Sequence, residues 1–136
     1  MQLNAYLNFN GECEAAFKFY EQVLGGKIIM MSRFRGTPGE NVVPPDMRDR
    51  IIHARIQVGD TVLMGSDSPP DRVSQPKGFA LSLQFNTGAE AESKFKALSD
   101  KGEVGMPMGK TFFAERFGML KDRFGVPWMV ICEKED

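Results

Sequence analysis

His53 is the only histidine in this chain. One imidazole cannot supply an HExxH zinc site or a two-histidine, one-carboxylate iron site. Any Ser-His-Asp or Cys-His arrangement would have to run through it. His53 falls at the start of a predicted strand. There it is either a general base or ligand anchor, since an imidazole changes charge near neutral pH, or a strand-end histidine bonded to the neighbouring loop. Tyr6 offers a hydroxyl that can orient a ligand, or a half-buried aromatic with one satisfied hydrogen bond. Arg33 and Arg55 carry the forked guanidinium that grips a carboxylate or phosphate. The alternative for both is a solvated or weakly paired surface arginine. Cys13 lies near a predicted helix N-terminus, a setting that can lower a thiol pKa, on a helix that needs small apolar residues. The chain has nine methionines. Met64, Met106, Met108 and Met129 suit an adaptable apolar cavity, or a flexible core.

These residues need a scaffold, and the apolar pattern supplies one. Residues 3–9 read as a strand, and Asn10-Gly11 is turn chemistry. A helix follows over residues 12–24, with Ala16, Phe19, Tyr20 and Val23 at helical spacing. Gly25-Gly26 ends it. Residues 27–35 read as a strand, and 37–49 as a proline-containing loop. Residues 51–58 and 61–66 form a hairpin through Gly59-Asp60, where glycine in first place suits a type II′ turn. Residues 68–77 hold three prolines and no apolar period, and read as a linker. A strand over 79–85 and a helix over 88–100 follow. Thr87 and Glu90 have capping-box spacing, Ala91, Phe95 and Leu98 supply the buried face, and Gly102 closes the helix. Strands over 103–108, 114–121 and 126–133 complete the chain, with a turn at 122–125. Trp128 alternates away from Met129 and is expected under a helix. Phe112 and Phe113 are expected to cap a cleft or a dimer seam.

The order strand, helix, three strands occurs twice. A shift of 76 residues pairs Leu7 with Leu83, Phe9 with Phe85, Asn10 with Asn86, Glu14 with Glu90, Ala15 with Ala91, Lys18 with Lys94, Phe19 with Phe95 and Gly26 with Gly102. Ordinary residue frequencies give about one or two such matches over this window. The reading is an α+β fold of tandem βαβββ modules, residues 1–67 and 78–136 joined by the linker, with curved mixed sheets around a cleft. In the first strand Ala5, Leu7 and Phe9 face the helix, and Asn4, Tyr6 and Asn8 face away. In the strand over 79–85, Phe79, Leu81, Leu83 and Phe85 face the helices, and Ala80, Ser82 and Gln84 face away.

Composition excludes several classes. A chain of 136 residues is one domain's worth and can bury a core without staples. Seventeen Lys and Arg against eighteen Asp and Glu leave a net charge of −1, which argues against non-specific binding to nucleic acid or an anionic membrane. No apolar run approaches the ~20 residues of a membrane span. The first residues lack the basic start and apolar stretch of a signal peptide. Cys13 and Cys132 are therefore expected as reduced thiols in a cytoplasm.

The segments YLNFNGECEAAFKFYEQVLGG (6–26), IIHARIQVGDTVLMGSD (51–67) and FGMLKDRFGVPWMV (117–130) resemble the vicinal oxygen chelate superfamily of glyoxalase I, bleomycin-resistance proteins and extradiol dioxygenases. The resemblance is sharpest to its PhnB-like branch, often labelled 3-demethylubiquinone-9 3-methyltransferase-like. It implies a homodimer, and in metal-dependent members a His or Gln, Glu, His and Glu ligand set. Carried over by strand, those positions fall on or near Asn4, Met64, Ala80 and Met129. An amide, a methyl group and two thioethers do not suit Zn, Mg or Fe(II), so neither metal nor other cofactor is expected. The turns Asn10-Gly11 and Asn86-Thr87-Gly88 also lack the G-x-G-x-G of a Rossmann-type methyl-donor site. The expectation is a small-molecule binder with a metal-free cleft, lined by Tyr6, Asn8, His53, Met64, Ser66, Ser82, Gln84 and Met129, with His53 as the catalytic candidate. The alternatives are a metal-dependent glyoxalase or dioxygenase-type enzyme with non-standard ligands, and a dimeric interaction module.

Overall fold

The computed structural model describes residues 1–133. The chain divides into two compact units, Met1–Ser74 and Gln75–Asp136. Residues 134–136, with which the expected second module ends, lie outside the described residues.

The first unit runs β1 (Tyr6–Phe9), α1 (Cys13–Leu24), β2 (Lys27–Arg33), β3 (Ile51–Val58) and β4 (Thr61–Asp67). Its sheet has the order β1-β4-β3-β2, with β1 parallel to β4 and the other pairs antiparallel. The second unit repeats this as β5 (Leu81–Phe85), α2 (Gly88–Ser99), β6 (Glu103–Gly109), β7 (Ala114–Lys121) and β8 (Pro127–Glu133), ordered β5-β8-β7-β6. The architecture is α+β, two four-stranded mixed sheets with one helix each. The shift of 76 residues carries β2 onto β6 end to end. Beyond Arg33 it shortens, because the loop of residues 34–50 has only residues 110–113 as its counterpart.

One face of each sheet packs on its helix. In the first unit Leu7, Phe9, Ala54, Ile56 and Leu63 are buried together with Cys13, Ala16, Phe17 and Tyr20 of α1. This corrects the helical face: Phe17 is fully buried, whereas Phe19 and Val23 are only half-buried. The period is right but begins at Cys13, one turn earlier. In the second unit Ala91, Phe95 and Leu98 of α2 are buried as expected, and so are Leu120, Trp128 and Val130. Thr87 Oγ1 accepts the Glu90 N–H at 3.2 Å and caps α2.

Other expectations shift. Leu3 is exposed and β1 begins at Tyr6. Phe79 is 53% exposed, and β5 begins at Leu81, so Phe79 does not join the helix-facing row. Short 3₁₀ turns at Pro38–Val42, Pro45–Met47 and Pro70–Arg72 occupy stretches read as loop and linker. Lys101, at φ +60°, makes the left-handed step after α2 in place of Gly102. Gly102 serves close approach instead, because a Cβ there would collide with the Lys121 carbonyl oxygen. Its counterpart Gly26 does the same work, since a Cβ would stand 2.7 Å from the Gln57 carbonyl oxygen. No helix among the described residues is long and apolar enough to cross a membrane.

Candidate functional site

Register decides which side chains share the helix-free face of the first sheet. Tyr6 pairs with Met64, Met64 with Arg55, and Arg55 with Met30. These four form one row across all four strands. Asn8 pairs with Ser66, and His53 with Ser32, in the next row. Met30 reaches this face because the pairing skips Ile29. A bulge resets the alternation of side chains, so Ile28 pairs with the buried Ile56 while Met30 pairs with Arg55. A second irregularity lets Ile51 be buried although His53, two residues on, faces the other way.

Tyr6 and His53 are brought together. The Tyr6 hydroxyl lies 3.1 Å from His53 Nδ1, and the rings stack at 24° with centroids 5.7 Å apart. Whichever atom donates, Nε2 is left without a hydrogen bond among the described residues. Tyr6 is 43% exposed, so the pair is accessible. Asn8 Oδ1 accepts from the Ser68 hydroxyl at 3.3 Å. Ser66 is buried, more enclosed than an expected rim residue.

The two arginines part company. Arg33 is spent, because Nη2 donates to both Glu14 oxygens at 2.9 and 3.1 Å and Nη1 to the Asp49 carbonyl. The hydrogen bond from Arg33 holds the Glu14 carboxyl below the usual carboxylate range, with Lys18 adding to the effect. Arg55 has no ion-pair or hydrogen-bond partner for its side chain among the described residues, and its Nε is buried. Cys13 has no activated thiol. Burial, then the Asp67 and Glu14 charges, push its pKa up to about 12. Cys13 and Cys132 are both free and buried.

Asp67 went unnoticed in the sequence. It ends β4, is buried, and accepts the Cys13 N–H through Oδ1 at 3.0 Å and the Ile51 N–H through Oδ2 at 2.9 Å. Glu12, the residue before α1, makes no side-chain cap. Asp67 therefore caps the helix from a distance and fixes the start of the strand that carries His53. Its signal was an acidic residue ending an apolar strand, which spacing alone does not link to a helix 54 residues away.

In the second unit the equivalent rows read Ser82, Met129, Met119, Met106 and Gln84, Ile131, Phe117, Gly109. Ser82 and Gln84 are exposed, and Met129 is half-buried. This face is largely apolar where the first unit carries Tyr6, Arg55 and His53.

The positions carried over from metal-dependent relatives do not fit an oxygen-polarising cation. Asn4 turns its amide N–H to the Val62 carbonyl oxygen at 2.9 Å. Met64 and Met129 offer thioethers, and Ala80 offers no donor. Among the described residues, no group of three or more His, Cys, Asp or Glu side chains is placed to hold a metal ion.

Comparison with known proteins agrees with this fold. Residues 2–130 match the model of the Glyoxalase/Bleomycin resistance protein/Dioxygenase superfamily. Protein YjdN of Escherichia coli (strain K12) is 32% identical, across 99% of this chain and 97% of its own. The crystal structure of PA1353 from Pseudomonas aeruginosa is 46% identical and superposes with a TM-score of 0.89, covering 99% of both chains. The PhnB protein from Bacillus cereus is 25% identical, with a TM-score of 0.83, covering 97% of this chain and 99% of its own. The chain belongs to the glyoxalase/bleomycin resistance protein/dioxygenase superfamily and within it is similar to the PhnB-like branch.

Proposed function

We propose that the protein binds a small organic molecule on the helix-free face of its first unit, without a resident metal. The Tyr6–His53 pair carries the reading. Two polar aromatics are held 3.1 Å apart on an accessible sheet face, with an imidazole nitrogen to spare. In this reading Tyr6 fixes the imidazole, and His53 Nε2 meets the ligand. Asn8 and Ser66 add polar contacts, and Met64 an adaptable apolar floor. Ser82, Gln84 and Met129 remain candidate contacts on the second unit's own helix-free face. His53 is the residue through which any proton transfer would run.

A thermal-shift screen against a broad metabolite panel tests the reading, with Tyr6→Phe and His53→Ala beside the unaltered chain. A saturable stabilisation that both variants weaken supports it. No saturable response, or one that both variants leave unchanged, contradicts it. Elemental analysis of protein purified without chelators tests the metal-free part. About one equivalent of a transition metal per chain would move the reading to a metal-dependent enzyme with non-standard ligands.

We also infer a homodimer. Strands β2 and β6 end their sheets and expose Ile29, Val104 and Met106, the kind of apolar edge that association covers. Sedimentation at micromolar concentration showing only monomer would remove this. A cytoplasmic location is proposed on the two buried, unpaired thiols.

A further inference from the structure

The cross-strand row Tyr6, Met64, Arg55, Met30 contains one charge and nothing to balance it. Five other arginines have side-chain partners: Arg33 with Glu14, Arg35 with Asp49, Arg50 with Asn10, Arg116 with Glu92, and Arg123 with Asp100. Arg55 has none among the described residues, and its Nε is enclosed. Arg48, in the loop before β3, shares the enclosed Nε but holds no place in the cross-strand row. The row neighbours of Arg55 are thioethers, and the adjacent row offers Asn8, Ser66, His53 and Ser32, with no carboxylate. A guanidinium with an enclosed, unmade hydrogen bond is costly unless something completes it.

The internal repeat shows that the fold does not require this charge. Tyr6 corresponds to Ser82, Met64 to Met129, and Met30 to Met106. At the place of Arg55 the second unit carries Met119, paired in the same way with its neighbours. The same sheet position is thus built with an uncharged side chain of similar length. Packing at this position therefore does not by itself call for a charge.

We propose that Arg55 is the anion-binding residue of this face, and that the ligand is a small organic acid, a carboxylate or phosphonate with an apolar body. The head group accepts from the guanidinium's Nη donors, since Nε is enclosed. The body lies along Met30, Met64 and the Tyr6 ring, and His53 Nε2 makes the second polar contact. This rests on the binding reading above and adds the charge of the ligand to it.

The test uses three probes of one shape, benzoate, phenylphosphonate and neutral benzamide, at constant ionic strength. Proton–nitrogen NMR follows the Arg55 Nε–H signal, assigned by its loss in Arg55→Met, and the single histidine ring. The expected result is saturable movement of both signals with at least one acid, and at least about tenfold weaker binding of benzamide. Arg55→Met then lowers affinity for the acid by at least about tenfold and brings acid and amide within about twofold of each other. It stays folded, because Met119 fills the same place in the second unit. The two acids decide between carboxylate and phosphonate. Equal binding of benzoate, phenylphosphonate and benzamide, or acid binding unchanged in Arg55→Met, overturns the anion assignment and leaves the Tyr6–His53 site standing. No response of either signal to any probe at millimolar concentration overturns the anion assignment. Failure of the metabolite panel as well removes the binding reading.

Discussion

Asp67→Ala is expected to be among the most damaging single changes in the first unit that leaves its apolar core untouched. The carboxylate is 4% exposed and holds two backbone N–H groups, Cys13 at 3.0 Å and Ile51 at 2.9 Å. Hydrogen bonds to a charged acceptor contribute about 1.5–3 kcal/mol each. Alanine removes both and leaves two N–H donors at buried residues, since Cys13 is 0% and Ile51 1% exposed. A loss of roughly 3–5 kcal/mol follows, a large share of the stability of an ordinary domain. Asp67→Asn keeps one oxygen acceptor, so it should lose about half as much. Urea unfolding measures both, provided the slope stays constant while the midpoint falls. A loss under about 1 kcal/mol for Asp67→Ala would refute the reasoning, because the two bonds would then be dispensable.

Other outcomes follow from the same geometry. Cys13 keeps its proton to about pH 12 when folded, against 9.0 for an ordinary thiol. Unfolding above pH 9 therefore releases a proton, and stability should fall by roughly 1.4 kcal/mol per pH unit there. Cys13→Ala should remove that slope, and the native thiol should resist alkylation at pH 8 until denaturant is added. Glu14 is held low by Arg33, so its contribution is present above the ordinary carboxylate range and disappears as pH falls through its lowered pKa. Glu14→Gln should cost only roughly 0.2–1 kcal/mol at neutral pH, less in high salt, because the pair is exposed. Gly102→Ala should lower the melting temperature more than Gly105→Ala, since only the first drives a Cβ into a backbone carbonyl. Equal effects would show that the close approach relaxes without cost.

Much of the fold was legible because apolar spacing and turn residues carry it. Both hairpins, both helices and the repeat follow from alternation, helical period and glycine placement. The helical face on α1 was misplaced because Phe17 and Phe19 are chemically alike, and only tertiary packing chooses between them. Phe79 misled for a related reason: alternation continued past the point where pairing stops. For the site, Tyr6, Asn8 and His53 were legible as polar residues on predicted strands. The Tyr6–His53 contact was not, because it crosses an intervening strand. Met30 and Ser32 were hidden by the bulge at Ile29, although the 76-residue shift matches Ile29 to Gly105 and Met30 to Met106, where the second sheet is irregular too. The division between Arg33 and Arg55 depends on Glu14 and Asp49, which no strand pattern places.

The most direct test of binding on this face uses the single histidine. With one imidazole per chain, the ring C–H signals of His53 can be followed through a ligand titration without ambiguity. The account predicts that a molecule stabilising the protein in the thermal-shift screen moves those signals saturably, and that Tyr6→Phe weakens the effect. A stabilising ligand that leaves the His53 signals unmoved at saturation would contradict the account, because binding would then lie elsewhere.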